Sequence, residues 1–251
     1  MIDLHCHILP GIDDGAADVT EALKLLHEEQ SQGVNKVVFT PHYNSDKIKL
    51  SDFLSYRELS LKLLSENDGF KKINVSFKVG AEVYFSVSLA DSEIERLCFS
   101  DTKYILIELP VQIKPNGLMY TIDNVINRGY IPIIAHVERY SYIAEDPIIL
   151  YDLVAKGCLA HINASAVLRK GAVCFTALRY IKWGLVQLIC SDCHSMKKRP
   201  PNLEKAFSAI EDSLGKRYAE KLIANGEKVF NGGCIDFSDL KKPKKVFGKW
   251  L

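Results

Sequence analysis

The chain has 251 residues, 47% of them hydrophobic and 25% charged, with a formal net charge of +1. That profile belongs to a globular protein with a sizeable core, and the balanced charge excludes a broad nucleic-acid footprint. No apolar run approaches the ~20 residues of a membrane span, and strand-like residues from Ile2 leave no room for a targeting peptide, so a cytoplasmic location is expected. The seven cysteines are an odd, scattered set, read as free thiols in a reducing compartment; Cys190-Ser-Asp-Cys193 lacks the second pair of a zinc ribbon.

In chain order, His5 and His7 come first, two apart in an apolar run, so on a strand both imidazoles share a face, with Asp13 and Asp14 just beyond. Such a set can hold a divalent metal, although His-x-His alone is equally a surface or core pair. Asp18 and Glu21 have capping-box spacing before a helical stripe (Val19, Ala22, Leu23, Leu25, Leu26) that Gly33 closes. Val34 to Thr40 reads as a buried strand, stopped by Pro41 and followed by His42. A second helix begins near Ser51, with Phe53, Leu54, Leu61 and Leu64 on one face, and Asn67-Asp68-Gly69 breaks it. Ile73, Val75, Phe77 and Val79 alternate with polar residues, a strand running into Gly80-Ala81-Glu82.

Tyr104 to Pro110 is the near-continuous apolar run that a parallel sheet covered on both faces demands. Glu108 within it is costly to bury unless something positive meets it. A helix through Leu118, Ile122, Val125 and Ile126 leads to a strand, Tyr130 to Ala135, ending in His136-Val-Glu-Arg139. Asp146-Pro147 opens a helix that Gly157 ends. Cys158 to Asn163 is a strand, Phe175 to Trp183 a helix, and Leu185 to Cys190 a strand running into Ser191-Asp-Cys-His194. Helices around Asn202 to Ser213 and Arg217 to Ala224 complete the pattern.

About seven β-α units without an internal linker predict one α/β domain over residues 1–240, a single parallel barrel, with an open doubly wound sheet as the alternative. The basic tail, 241–251, reads as a solvated extension with a docked Trp250; weak contact with an acidic membrane surface or a partner is its other use.

His5, His7, His42, Glu82, Glu108, His136, Asp192 and His194 all stand at strand ends, and a parallel barrel brings those ends to its carboxyl rim. Imidazole and carboxylate without required thiolate suit Mn, Fe or Zn. With Asp14 the set exceeds what one ion needs, so two or three ions are expected, bridged by Glu82 or Glu108. Spacing does not choose between Asp13 and Asp14. His27 falls on a helix surface, and His161 reads as packing, with support of a ligand the lesser role.

Arg139 and Arg199 stand beside these ligands, and guanidinium binds phosphate bidentately. The set therefore points to phosphoryl hydrolysis by hydroxide made from metal-bound water. Amide hydrolysis by a binuclear amidohydrolase barrel competes, but gives the paired arginines no task. Cys193 to Arg199 fits C-x5-R, the minimal signature of cysteine-dependent tyrosine phosphatases. A strand would turn Cys193 away from Asp192 and His194, and the loop carries Met196, Lys197 and Lys198 where a phosphate-wrapping loop favours glycine, so a thiolate mechanism is not expected.

Met1-Ile-Asp-Leu-His-Cys-His7, Gly11-Ile-Asp-Asp-Gly15, Thr40-Pro-His42, Gly80-Ala-Glu82, Lys103 to Glu108, Gly129 to Arg139 and Ser191-Asp-Cys-His194 together resemble the PHP-superfamily bacterial protein-tyrosine phosphatases of capsule and exopolysaccharide loci, the CpsB/YwqE type. The resemblance implies a distorted seven-stranded barrel with three metal ions, commonly manganese, at the carboxyl rim of the strands. By motif, His5, His7, Glu82 and Asp192 would hold one ion, Glu82, Glu108 and His136 a second, and Asp14, His42 and His194 the third. Arg139 and Arg199 would grip the phosphate. The implied substrate is a phosphotyrosine protein, the tyrosine-rich tail of a bacterial tyrosine kinase. Tyr43-Asn44 stands where some relatives place basic residues. A small-molecule phosphatase of the histidinol-phosphate type and a non-catalytic metal-binding module are the alternatives.

Overall fold

The computed structural model describes residues 1–250. β1 (Ile2–Cys6) leads through α1 (Val19–Ser31) to β2 (Lys36–Phe39) and β3 (His42–Tyr43), separated by a break at Thr40-Pro41. α2 (Leu50–Ser65) and the single turn α3 (Asp68–Lys71) precede β4 (Ser76–Val79) and β5 (Glu82–Tyr84), split at Gly80-Ala81. Then come β6 (Tyr104–Glu108), α4 (Leu118–Asn127), β7 (Ile131–Ile134), α5 (Ser141–Glu145), α6 (Ile148–Ala155) and β8 (Leu159–Asn163). α7 (Ala164–Leu168), α8 (Ala172–Lys182), β9 (Leu188–Cys190), α9 (Leu203–Leu214) and α10 (Lys216–Phe230) follow, and β10 (Lys245–Val246) pairs with β11 (Lys249–Trp250) in a terminal hairpin.

Outside that hairpin every strand pairing is parallel. β1-β2-β4 form one sheet and β3-β5-β6-β7-β8-β9 another. The chain joins them, since β2 runs on towards β3 and β4 towards β5. β1 also meets the end of β9: Cys6 and Cys193 form a parallel bridge, Asp192 N–H donates to His5 O and His7 N–H to Cys193 O, both at 2.9 Å. The result is an α/β fold whose parallel sheet is curled, with helices outside.

Side-chain alternation divides the core into two layers. Ile2, Leu4, Val38, Leu106, Ile133, Leu159 and Leu188 fill the concave face with Val229 and Phe230 of α10. Their neighbours Val37, Phe39, Ile105, Ile107, Ile134, Ala160, Ile162 and Ile189 face the helices. Counting by twos carries the concave face from Leu106 to Glu108, from Leu159 to His161 and Asn163, and from Cys190 to Asp192.

Two strands depart from this count. In β1, Asp3 pairs with Val37 but Cys6 with Phe39, so three residues advance against two. This bulge moves the concave face from even to odd numbers, and His5 and His7 turn inward. After β7, His136 sits at φ +31° and swings back under the rim.

Several boundaries differ from those the sequence suggests. α10 continues through Asn225-Gly226 to Phe230 instead of ending at Ala224, because buried Asn225 donates from Nδ2 to Gln187 O (3.0 Å) and Gly226 packs near Ile2. Leu185 N–H bonds back to Tyr180 O, so β9 starts only at Leu188. Asp18 caps α1 by accepting from Glu21 N–H (2.9 Å), but Glu21's carboxylate serves Met196 N–H instead of closing a capping box. Trp250 docks by donating its indole N–H to Glu145 O (2.9 Å); Leu251 lies outside the described residues. Among the described residues no helix is long and apolar enough to cross a membrane.

Candidate metal centre

The structure brings all nine sequence-predicted donors to one place at the strand ends. Glu82 is the hub. Its Oε2 lies 3.2 Å from His5 Nε2, 3.2 Å from His7 Nε2 and 3.0 Å from His42 Nδ1, while Oε1 is 2.9 Å from His136 Nε2. Asp192 Oδ1 is 3.6 Å from both His5 and His7. Glu108 Oε1 is 3.5 Å from His136 Nε2. On the outer side, Asp14 Oδ1 lies 3.3 Å from His42 and 3.4 Å from His194. His5, His7, Glu82, His136, Asp192 and His194 are buried, whereas His42 and Asp14 open to solvent.

The tautomers can be worked out from the hydrogen bonds. His136 N–H donates to His161 Nε2 (3.4 Å), so that nitrogen carries a lone pair, and His5 Nδ1 at 2.9 Å from it must carry the proton. His7 donates from Nδ1 to Asp13 Oδ2 (2.7 Å). With both Nε2 atoms deprotonated, His5 and His7 would face each other with lone pairs only 3.0 Å apart, beside two carboxylates. Glu82 Oε2 and His194 Nε2 are buried without a hydrogen-bond partner. Converging lone pairs and anionic oxygens are what divalent cations fill, and the residues present fit a metal cluster.

The electrostatics agree. Burial pushes His7 down, but the hydrogen bond and charge of Asp13, with those of Glu82, raise it well above its ordinary value. Surroundings that hold a proton so firmly hold a cation as well. Burial pushes Glu82 up, yet His5's charge and contacts with His136 and His42 hold it well below the usual carboxylate range. His194 falls to about 4 through burial and the charge of His7.

Asp13 and Asp14 separate here. Asp13 orients His7 and accepts from Gly15 N–H (2.9 Å) and His42 N–H (3.1 Å), while Asp14 reaches the donor cluster. Gly15 allows the turn: a Cβ there would lie 2.1 Å from His7 O. His161, read from sequence chiefly as packing, instead fixes His5; burial and the charge of His5 hold it well below its usual pKa, hence neutral. His27 is exposed on α1, as expected.

Asn163, Asp3 and Glu29, to which the sequence assigned no role, complete the frame. Asn163 donates to Asp192 Oδ2 (2.6 Å). Asp3 faces α1 and ties β1 to β9, accepting from Ser191 N–H (3.0 Å) and from the Ser191 hydroxyl. Cys193 lies on that same side, its Sγ 3.7 Å from Glu29 Oε1, turned away from Asp192. Only the parity of the strand, counted through Asp3 and Cys193, hints at this cluster.

Arg199 reaches Asp192 Oδ2 (3.3 Å) from Nη1 and Asp14 Oδ2 (3.2 Å) from Nη2, and Arg139 lies 3.8 Å from Asp192 Oδ2. Both line a cavity of about 630 Å³ that Asp192 and Asn163 also border.

Residues 1–231 match the family described as capsular polysaccharide synthesis, CpsB/CapC. The chain belongs to the CpsB/CapC family. It is 32% identical over 260 residues to the tyrosine-protein phosphatase YwqE of Bacillus subtilis, covering 99% of each protein. It is 33% identical over 264 residues to the putative tyrosine-protein phosphatase CapC of Staphylococcus aureus, with the same coverage. A crystal structure from work on YwqE and on CpsB of Streptococcus pneumoniae, described as unique metal-dependent tyrosine phosphatases, matches with a TM-score of 0.87 at 29% identity, over 97% of this chain and 100% of that one. A phosphotriesterase homology protein from Escherichia coli shares the fold alone, at 10% identity and a TM-score of 0.54. This CpsB/CapC chain gathers nine imidazole and carboxylate donors in one cluster, with two arginines alongside.

Proposed function

We propose that the chain is a metal-dependent protein-tyrosine phosphatase, acting on phosphotyrosines in the tail of a bacterial tyrosine kinase that governs capsule or exopolysaccharide synthesis. The carrying observation is the convergence of His5 Nε2 and His7 Nε2 on the carboxylates of Glu82 and Asp192, with Arg139 and Arg199 adjoining. Counting β2 with β3 and β4 with β5 as single interrupted strands gives seven staves, and the β1–β9 contacts support closing them into a distorted barrel over residues 1–240. Its carboxyl rim would hold three ions, manganese before iron or zinc: one at His5, His7, Glu82 and Asp192, one at Glu82, Glu108 and His136, one at Asp14, His42 and His194. The carboxylate spread of Glu82, with different histidines at its two oxygens, suits a bridging role.

When bound, such ions neutralise phosphoryl oxygens and make hydroxide available from water at neutral pH. The chain supplies the rest. Arg139 and Arg199, lightly held by Asp192 and Asp14, exchange those carboxylates for phosphoryl oxygens and grip the developing charge. Asn163 keeps Asp192 in place while they move. The tyrosinate leaving group, with a pKa near ~10, departs with less help from a general acid than an alkoxide needs. Cys193 touches none of this.

The test is hydrolysis of p-nitrophenyl phosphate and a phosphotyrosine peptide after chelation and Mn²⁺ addition, with histidinol phosphate in parallel. Chelation should abolish turnover and Mn²⁺ restore it, with the peptide preferred. Full activity in metal-free protein, or preference for histidinol phosphate, would sink this reading.

A further inference from the structure

The cavity beside the centre carries more positive charge than one phosphate requires. At about 630 Å³ it falls within the ~300–1,000 Å³ of sites that engulf whole ligands, so an aryl phosphate leaves room for neighbouring peptide. Arg139 and Arg199 line the end next to Asp192, and both already have carboxylate partners. Arg169, immediately after α7, and Lys198 line the same cavity. Both are exposed, and neither has an ion-pair partner among the described residues. The wall's carboxylates do not answer them: Asp192 is taken by the two arginines and Asn163, and Glu138 is buried against Asn163 N–H. Val111, Val173 and Pro200 add an apolar stretch on which an aromatic ring can lie.

An exposed lysine or arginine by itself is ordinary surface. Two unpaired cations on the wall of a cavity that also holds a phosphate grip form a second, weaker anion subsite. Resting on the phosphatase reading above, we propose that Arg169 and Lys198 select phosphotyrosines flanked by negative charge, carried by a carboxylate or by a second phosphate. Complementary charge of this kind raises encounter and fixes register more than it strengthens grip. The phosphate between Arg139 and Arg199 sets the reacting group, and the flanking anion decides which tyrosine is presented.

Three phosphotyrosine peptides of equal length separate the sources: alanine flanks, glutamate flanks, and alanine flanks with a second phosphotyrosine nearby. With Mn²⁺-supplemented protein, kcat/KM for the anionic peptides should exceed the alanine peptide about fivefold, the scale of two exposed ion pairs, and the ratio should shrink as salt rises. Arg169→Ala with Lys198→Ala should bring the ratio near one through KM and leave p-nitrophenyl phosphate turnover unchanged. Arg169→Glu with Lys198→Glu should invert it. Fluorescence anisotropy with non-hydrolysable phosphonate peptides should show the same ordering in binding. A preference confined to one anionic peptide supports the subsite and names its ligand. Equal turnover of the three peptides by wild type, or an unchanged ratio in the alanine variant, overturns the inference while the phosphatase reading stands. Loss of p-nitrophenyl phosphate turnover in the alanine variant also overturns it, since both residues would then belong to the reaction itself. No turnover of any substrate by wild type overturns both.

Discussion

Glu82→Gln isolates the electrostatics of the centre, because one carboxylate meets four imidazoles at 3.2, 3.2, 3.0 and 2.9 Å. Glutamine keeps the shape and one acceptor but removes the charge. At an effective dielectric of ~20, protonated His7 and Glu82, 3.2 Å apart, attract by ~5 kcal/mol. Desolvation offsets much of this, and breaking a buried pair from one side costs ~3–5 kcal/mol. Metal-free Glu82→Gln should therefore unfold in urea with ~3 kcal/mol less stability than metal-free wild type at pH 7. Glu82's pKa is held below its ordinary 4.5, so the stability it contributes is present above pH 4.5 and is lost as pH falls through the lower folded value. The deficit should hold from pH 5 to 8 and fade only in acid. Elemental analysis should show less bound metal, and phosphatase turnover should fall ~100-fold or more, since even groups behind the ligands cost 10–100-fold. A variant with full metal, wild-type turnover and wild-type stability would refute the hub assignment.

Cys193→Ser should keep most of the activity, because the thiol faces Glu29, while Arg199→Ala should lose ~100-fold in kcat/KM with p-nitrophenyl phosphate, the scale of one lost charge contact in a transition state. A dead Cys193→Ser protein with its full metal complement would overturn that assignment. Burial and the charge of Asp3 raise Glu29 well above its ordinary 4.5, so wild type should lose stability as pH rises from 4.5 towards the raised value. Glu29→Gln should remove that loss, gaining on wild type more at pH 8.5 than at pH 6 in urea titrations; an equal difference at both would refute it. Asp192 sits at φ +51°, so Asp192→Gly and Asp192→Ala should both be inactive, but the glycine variant should be ~1 kcal/mol the more stable by thermal unfolding.

The layered β-α order and the ligand-bearing strand ends were legible in the sequence because both rest on local signals: apolar runs, caps, and the placing of His, Glu and Asp just past each run. The exact partnership of Asp13 and Asp14 was not, since both occupy one turn and only the approach of His7 and His42 tells them apart. His161 looked like packing because a lone histidine in an apolar strand gives no sign of what lies across the sheet. The long α10 was cut short at Asn225-Gly226, two residues that disfavour helix locally but fit against Gln187 and Ile2. Glu29 and Cys193 touch across 164 residues of sequence, and no local pattern links either to Asp3.

The places where the backbone leaves regularity are the places where the ligands stand. Neighbouring strands lie ~4.8 Å apart, so side chains on an unbroken pleat would ring the rim without their tips meeting. Here the tips close to about 3 Å. A bulge turns His5 and His7 inward, breaks at Thr40-Pro41 and Gly80-Ala81 precede His42 and Glu82, and His136 and Asp192 take left-handed φ values of 31° and 51°. Non-glycine residues in that region cost ~1–3 kcal/mol each and persist only where neighbours hold them. The neighbours are visible: His136 N–H is tied to His161, and Asp192 N–H to His5 O. Each strained ligand is thus fastened to another ligand or to the residue that orients one, which makes the donor set a single mechanical unit. Its geometry depends on hydrogen bonds within the protein as well as on the ions it would hold, and a change at one rim position should be felt at the next.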